Sequence, residues 1–305
     1  MADTWEAKQS LPTSRVGPAG SGVIADLLYV AGGTEGVSTF VKTTRQYTPG
    51  SDSWALVADM PATTSWRDSG AAVISGKMYI ANGVKDGART KAGAYYQPDS
   101  WTAIADAITA RSGACACEHG GKMYVFGGDV SGPVVTAIVE EYTPGSDTWA
   151  SKTSMPTARG WTAAASDGGS YIYVIGGRTT GGGPGGALAI LERYNVTGDS
   201  WATMTSMPTA RSATSVAFLG GYLYVAGGRI SSGDGSNKME RYDPSTDSWA
   251  TMTSMATNGR GNAGFGVIGG QYLHVAGGWT TGATTLHHRY VLVDIGGWTV
   301  TAQIL

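Results

Sequence analysis

The sequence has little charge for its length. Only 14 % of its 305 residues are Asp, Glu, Lys or Arg, against roughly 25 % in an ordinary soluble domain, and the net charge is -2. These values argue against a disordered tail, a coiled coil and a nucleic-acid-binding protein. We therefore expect no nucleic acid among its partners.

Long apolar runs are also missing. No run approaches the roughly 18 residues of a membrane span, and the chain opens on Met1–Trp5 without a basic, apolar leader. We expect no membrane partner and cytoplasmic synthesis without Sec export. The sparsely charged, Thr/Ser/Gly-rich composition would also suit a component assembled on a virion or a cell surface, so the compartment stays open.

Cysteine and histidine are too scarce for most metal or nucleophile chemistry. Cys115 and Cys117 are the only cysteines, and their two-residue spacing on a predicted strand rarely suits a disulfide. We expect them to pack in the core and expect no cofactor. The four histidines are too scattered for a metal site or a catalytic triad and are predicted to be structural: His119, His274, His287 and His288.

Glycine is abundant, with 47 residues, and much of it lies in a repeat. Six apolar strings ending in Gly-Gly or Asn-Gly recur at spacings of 45 to 51: LYVAGG (28–33), MYIANG (78–83), MYVFGG (123–128), IYVIGG (172–177), LYVAGG (223–228) and LHVAGG (273–278). A tryptophan series keeps step with them: Trp5, Trp54, Trp101, Trp149, Trp201, Trp249 and Trp298. Each period predicts four short antiparallel strands with Gly- and Pro-rich turns between them.

Six such sheets predict a closed ring. One four-stranded sheet cannot cover both of its faces, whereas six around an axis bury each face against a neighbour. We therefore predict an all-β, six-bladed β-propeller over residues 1–295. Because seven Trp strands exceed six Gly-Gly strings, we prefer closure by the N-terminal strand (3–9), leaving 296–305 as an extra strand, docking tail or oligomerisation arm. Closure by 296–305 is the alternative.

The combination of an apolar string, Gly-Gly and a spaced Tyr and Trp resembles the kelch family over essentially the whole chain, with Asn82 as the one departure in the first Gly position. The resemblance implies a six-bladed propeller that is commonly an interaction module. It does not imply one activity, because galactose oxidase-like and sialic acid-epimerising enzymes use the same repeat.

One face of the predicted disc gathers arginine and tryptophan. The links between a Trp strand and the next inner strand carry six arginines, and two more follow Gly-Gly: Arg15, Arg67, Arg111, Arg159, Arg211, Arg260, Arg178 and Arg229. Three tryptophans outside the repeat map to the same face: Trp66, Trp161 and Trp279. In kelch adaptors that recognise acidic peptides, the matching positions line the pocket, so the resemblance implies carboxylate binding by these arginines, Arg15 excepted.

The arginines and the tryptophans of this face also have a structural interpretation. A repeated arginine is suited to bonding backbone carbonyls, and a tryptophan is commonly a packing residue. The repeated Asp of the Pro-x-x-Asp turns, on the opposite face, needs no more than an Asx-type turn. A galactose oxidase-like copper site needs a Tyr-Cys crosslink and histidine ligands, and this sequence does not provide them.

We therefore predict a non-catalytic propeller that binds a protein, an acidic peptide or a glycan through its Arg/Trp-rich face. The alternatives are a structural or display component of a secreted or virion assembly and a sugar-modifying enzyme of the sialic acid epimerase type.

Overall fold

The computed structural model describes residues 4–36, 38–63, 65–180, 185–255 and 259–291, and their regular structure is all β. Six four-stranded antiparallel sheets form the blades of a propeller. Each inner strand contacts the inner strands of both neighbouring blades, and the sixth contacts the first. The predicted fold is therefore confirmed.

The strands of blades 1 to 3, from inner to outer, are Gly20–Ile24, Leu27–Glu35, Thr39–Thr48 and Ser53–Val57; Gly70–Ile74, Lys77–Ala81, Gly93–Gln97 and Ser100–Ile104; Cys115–His119, Lys122–Phe126, Val139–Thr143 and Thr148–Lys152. Those of blades 4 to 6 are Ala163–Ser166, Tyr171–Ile175, Leu191–Asn195 and Ser200–Met204; Ser215–Leu219, Tyr222–Ala226, Met239–Asp243 and Ser248–Met252; Gly264–Ile268, Tyr272–Ala276, His287–Val291 and Thr4–Lys8. Five shorter strands lie in links and loops: Trp66–Arg67, Val84–Lys85, Ala88–Arg89, Asp129–Ser131 and Val134–Val135.

The N-terminal strand closes the ring. Thr4–Lys8 pairs antiparallel with His287–Val291, with Lys8 opposite His287, and forms the outer strand of blade 6. This is the closure that the Trp spacing favours, and it removes an open sheet edge. Residues 296–305 lie outside the described residues, so the tail and the domain boundary before it remain predictions.

The hydrophobic core lies between blades. Tyr173 of blade 4, for example, packs in one cluster with Leu223 and Tyr242 of blade 5. The side chains of the inner strands must be small because neighbouring blades approach each other closely near the axis. A Cβ on Gly20 would lie 2.5 Å from Cγ2 of Ile80 in the next blade.

The repeated aspartates join adjacent blades. Asp199 Oδ1 accepts a hydrogen bond from the Tyr194 hydroxyl at 2.5 Å within blade 4 and one from the Thr153 backbone N–H of blade 3 at 2.9 Å. Trp201 Nε1 donates to the Thr153 carbonyl at 2.9 Å. Asp147, in the Pro-x-x-Asp turn 144–147, accepts the same two kinds of bond, from the Tyr142 hydroxyl at 2.7 Å and the Ala105 backbone N–H at 2.8 Å. The prediction that an Asx-type turn suffices for these aspartates is therefore wrong. The turn is only part of their role, because the Asp199 carboxylate bonds a residue 46 positions away that local sequence cannot reveal.

We expect Tyr194→Phe to lower the free energy of unfolding by about 1.5–3 kcal/mol, the range for a hydrogen bond to a charged group. Burial would raise the pKa of Asp199, but the bonds from Tyr194 and Thr153 hold it below its usual value. A lowered pKa stabilises the fold above the unfolded pKa and less as the pH falls, so the loss should shrink in acid. Urea unfolding at several pH values measures this. Tyr95→Phe is the control, and an equal loss there would contradict the prediction.

Candidate ligand-binding site

Five of the six link arginines are interior residues: Arg15, Arg111, Arg159, Arg211 and Arg260 are 0–1 % exposed. Arg159 shows the arrangement. Its guanidinium donates to the carbonyls of Gly176 at 2.8 Å, Ile190 at 3.0 Å and Val174 at 3.1 Å, and to the Glu192 carboxylate at 2.8 Å. These side chains tie the second strand of a blade to the third. They lie beneath the surface, so their position does not support the binding role predicted for them.

Blade 2 departs from this pattern by one residue. Trp66, and not Arg67, occupies the arginine position: it is fully buried, and its Nε1 donates to the Asn82 carbonyl at 2.8 Å. Four of the buried arginines donate in the same way to the first glycine of their Gly-Gly: Arg15, Arg111, Arg159 and Arg211. Trp66 is therefore a packing residue. Arg67 follows it, with 29 % of its side chain exposed.

Six residues form an inner ring around one mouth of the central channel: Gly17, Asp68, Gly113, Trp161, Ala213 and Asn262. Each donates its backbone N–H to the carbonyl of its counterpart in the preceding blade, at 2.7–3.1 Å, so the bonds close a circle. All six have φ between +51° and +62°. The channel behind them has a volume of about 200 Å³ and is lined by small side chains of the inner strands.

An outer ring surrounds the inner one. It consists of the residue after each Gly-Gly or Asn-Gly: Thr34, Val84, Asp129, Arg178, Arg229 and Trp279. Each pairs through its backbone with the residue after the buried link side chain, as Arg178 does with Gly160. The backbone of both rings is regular while their side chains differ from blade to blade. This mouth is therefore where the chain can carry a specific site.

Blades 4 to 6 place cations against aromatic rings at the mouth. The Arg178 guanidinium lies 3.6 Å from the centre of the Trp161 ring, and that of Arg229 lies 5.7 Å from the Trp279 ring. Burial lowers the pKa of both arginines. Trp161 has φ +51°, a conformation rarely adopted by a bulky residue, and its ring covers Gly113. A costly backbone conformation at a half-buried Trp is a reason to suspect function.

Blades 2 and 3 place ion pairs at the same mouth. Arg67 contacts Asp68 at 2.5 Å, and Arg89 lies 3.6 Å from Asp129. Burial raises the pKa of Asp68, and it raises the pKa of Asp129 to about 6. Sequence reasoning missed both aspartates, although their ring positions could have been found by aligning the six repeats.

The structure thus brings together Arg67, Arg178, Arg229, Trp161 and Trp279, and separates the five buried arginines and Trp66 from them. Cys115 lines the channel and accepts a hydrogen bond from Thr162, and burial raises its pKa to about 11, so it is a protonated packing thiol. In the described part of the chain, no helix could span a membrane, and no cluster of three His, Cys, Asp or Glu could hold a metal ion.

A closed ring of six four-stranded antiparallel blades, with two concentric loop rings at one mouth, defines a β-propeller. Residues 113–299 match the "KLHDC2/KLHL20/DRC7 Kelch-repeats domain", and residues 15–61 match the "Kelch motif". The chain belongs to the kelch-repeat family.

The relatives of this chain are longer proteins, each matched over only part of its length. The chain is 24 % identical to Kelch-like protein terF of Aspergillus terreus over 76 % of its own length and 54 % of that protein. It is 33 % identical to Kelch-like protein 25 of Xenopus tropicalis (42 % and 22 %), and 28 % identical to Beta-scruin of Limulus polyphemus (64 % and 22 %). The chain therefore spans about half or less of these relatives.

A solved structure has the same fold. That of YjhT has a TM-score of 0.74 and 16 % identity, and the match covers 91 % of this chain and 95 % of that one. At this identity the likeness concerns the fold alone.

Proposed function

We propose that this protein is a non-catalytic binding propeller that holds an acidic segment of a protein partner at the mouth formed by the inner and outer rings. The observation that carries the proposal is the Arg178 guanidinium over the Trp161 ring, 3.6 Å from its centre, together with the left-handed backbone at Trp161. Kelch propellers commonly serve as interaction modules, which agrees with this use of the fold.

The charges at the mouth favour an anionic ligand. Arg67 and Arg89 pair with aspartates, and Arg178 and Arg229 lie against tryptophan rings. The carboxylates of Asp68 and Asp129 also attract Arg178, and that of Asp234 attracts Arg229. A guanidinium stacked on an aromatic ring is oriented in advance, and its planar fork matches a carboxylate. The Trp161 ring, covered by Arg178, offers less surface for a neutral sugar.

Exposed apolar side chains on the same face favour a protein over a glycan. Phe40 is 46 % exposed, Val134 55 % and Ile230 36 %, and all three lie in or beside loops between second and third strands. These loops end at the mouth, where Arg67 lies 4.6 Å from the Phe40 ring. Arginine and aromatic side chains are enriched among interface residues that dominate binding energy. A peptide with both acidic and apolar side chains fits this surface.

Binding of labelled acidic peptides, measured by fluorescence anisotropy, tests the proposal. A panel of Asp/Glu- and Leu-containing peptides should bind more tightly than its Asn/Gln counterparts, and more weakly as salt increases. Arg178→Ala should weaken binding by about tenfold or more, since 1.4 kcal/mol corresponds to a factor of ten.

Arg193→Ala is the matched control, because Arg193 lies 4.1 Å from the Tyr171 ring but on a third strand, outside both rings. Equal binding of the acidic and amide panels, or equal losses in the two variants, would contradict the proposal.

A sugar-modifying activity is the second candidate. The raised pKa of Asp129, to about 6, would suit a general acid or base near the mouth, where Asp68 lies close enough to add to the shift. Turnover of sialic and uronic acids that disappears in Asp129→Asn would favour this function over simple binding. The third candidate, a structural or display role using the tail, concerns residues outside the described part of the chain.

A further inference from the structure

Blade 6 replaces three repeat positions with histidine. His274 stands where the other strings carry Tyr, and His288 stands where blades 3, 4 and 5 carry the glutamate that pairs with the buried arginine. His287 stands where those three blades carry an apolar residue. Three of the four histidines of the chain are thus gathered in the blade that the N-terminal strand completes.

The hydrogen bonds of His274 and His287 favour neutral rings. His287 Nδ1 lies 3.3 Å from the Gln9 carbonyl, which can only accept, so Nδ1 donates. His287 Nε2 is then the acceptor for His274 Nδ1, 2.9 Å away. His274 Nε2 is buried without a hydrogen-bond partner. A proton on His287 Nε2 would make that nitrogen a donor, so His274 would have to accept at Nδ1 and carry its own proton on Nε2, which is buried without a hydrogen-bond partner. A second proton on His274 would place a charge on the same unpaired Nε2.

His288 must be neutral for a similar reason. Its Nδ1 faces the Arg260 guanidinium, which can only donate, so Nδ1 accepts. Arg260 is 1 % exposed, and although burial lowers its pKa to about 10, it remains charged at neutral pH. Protonation of His288 would therefore place two cations side by side in the interior.

The cluster lies at the seam between the two ends of the ring. The His287 ring packs edge-on against Tyr47 of blade 1, with centroids 4.4 Å apart, and near Trp54 at 5.5 Å. Gln9 directly follows the N-terminal strand and donates its N–H to Asp52 of blade 1 at 2.9 Å. The histidines thus join the N-terminal strand, blade 6 and blade 1.

The surrounding charges oppose protonation. Arg289 and Lys8 act on His274, and Arg260 acts on His287 and His288, whereas Asp52 is the one carboxylate among the described groups that favours a charge on His274 and His287. Burial is the largest cause, and it lowers the pKa of His274 to about 2, of His287 to about 3 and of His288 to about 4.

The sign of the effect follows from these shifts. The opened chain binds more protons than the closed one below about pH 6.5, the ordinary histidine pKa. The stabilisation is therefore complete above that pH and is lost as the pH falls toward the folded-state values.

We infer that the three histidines form an acid-sensitive latch, which opens the seam between blades 6 and 1 and frees the N-terminal strand when they take up protons. The inner ring crosses this seam through the Gly17 N–H and Asn262 carbonyl, so opening would also break the mouth. Release of a ligand in acid rests on the proposed function, whereas opening of the seam does not.

Hydrogen exchange of the full chain between about pH 7 and about pH 5, corrected for intrinsic rates and read by mass spectrometry, tests the latch without any ligand. Peptides containing residues 4–9 and 287–291 should lose protection first. The opening constant should approach a three-proton dependence, or ~1,000-fold per pH unit. Peptides from blades 3 and 4 should keep their protection over this range.

A variant that carries the residues of the other blades is the sharpest comparison. His274→Tyr, His287→Leu and His288→Glu together should nearly abolish the pH dependence, and His288→Glu alone should remove about one proton from it. His119→Gln is the control: this fourth histidine bonds Ser166 between blades 3 and 4, and its loss should leave the seam unchanged. Unchanged acid opening in both blade 6 variants, or simultaneous loss of protection in all blades, would overturn the latch.

Discussion

Replacing Arg159 with methionine is expected to lower the free energy of unfolding by about 3–5 kcal/mol, the range for removing one partner of a buried ion pair. The substitution leaves the Glu192 carboxylate buried without its cation, and the carbonyls of Gly176 and Ile190 lose their donor. An unsatisfied buried acceptor is costly because no water replaces the lost bond. Urea unfolding followed by tryptophan fluorescence measures the change.

Arg193→Met is the matched control in the same blade. Arg193 is half-buried and stacks on Tyr171 without a buried carboxylate beneath it, so we expect a loss of less than about 1 kcal/mol. The pair of variants also separates the two interpretations of the link arginines. A ligand-binding role for Arg159 would leave stability nearly unchanged and weaken peptide binding instead.

Gly127→Ala is expected to lower the free energy of unfolding by about 3 kcal/mol or more, because a steric clash adds to backbone strain. Gly127 has φ +59°, and a Cβ there would lie 2.1 Å from the Arg159 carbonyl oxygen of the next blade and 2.9 Å from Met155 Cε. The alanine would have to displace backbone that Gly128 uses to bond the same carbonyl at 3.1 Å. Thermal and urea unfolding measure the effect.

Gly120→Ala isolates the contribution of φ. Gly120 has φ +60° but nothing within 4 Å of its Cβ position, so its variant should lose only about 1–2 kcal/mol. Asn82 occupies the position of Gly127 in blade 2 with φ +64°, and its Nδ2 donates to the Thr109 carbonyl at 2.8 Å. Similar losses at Gly120 and Gly127 would show that conformational freedom, and not space, is what the glycine provides.

The period in the sequence predicted the fold because each repeat must bury both faces of its sheet. The same period could not show what the link arginines do, because an arginine in every link is consistent with a binding role and with a structural role. Hydrogen bonds and position decide between them: Arg111 and Arg159 are fully buried and bond backbone carbonyls of their blades, whereas Arg178, 8 % exposed, lies against Trp161 at the mouth. Arg67 is not the blade 2 counterpart of the buried arginines, because Trp66 occupies that repeat position.

The candidate site was only partly predictable for a related reason. Arg178, Arg229 and Trp279 follow their Gly-Gly strings directly, so their face could be deduced from strand direction. Asp68 pairs with its sequence neighbour Arg67, whereas Asp129 of blade 3 meets Arg89 of blade 2 only in the folded ring. The histidine cluster could not be predicted for the same reason. His287 contacts His274 of its own blade, but also Gln9 and Tyr47 from the other end of the chain.

The sequence by itself determined the blade number and the strand order within each blade, because both depend on a pattern of burial that recurs in every repeat. It favoured closure by the N-terminal strand, and the structure decided between that closure and the alternative. Only the tertiary structure decided which arginines are interior, that Asp129 pairs with Arg89 of another blade and where the histidines join the ends of the ring. Those properties depend on contacts between residues of different blades, and no local pattern specifies the neighbour that another blade supplies.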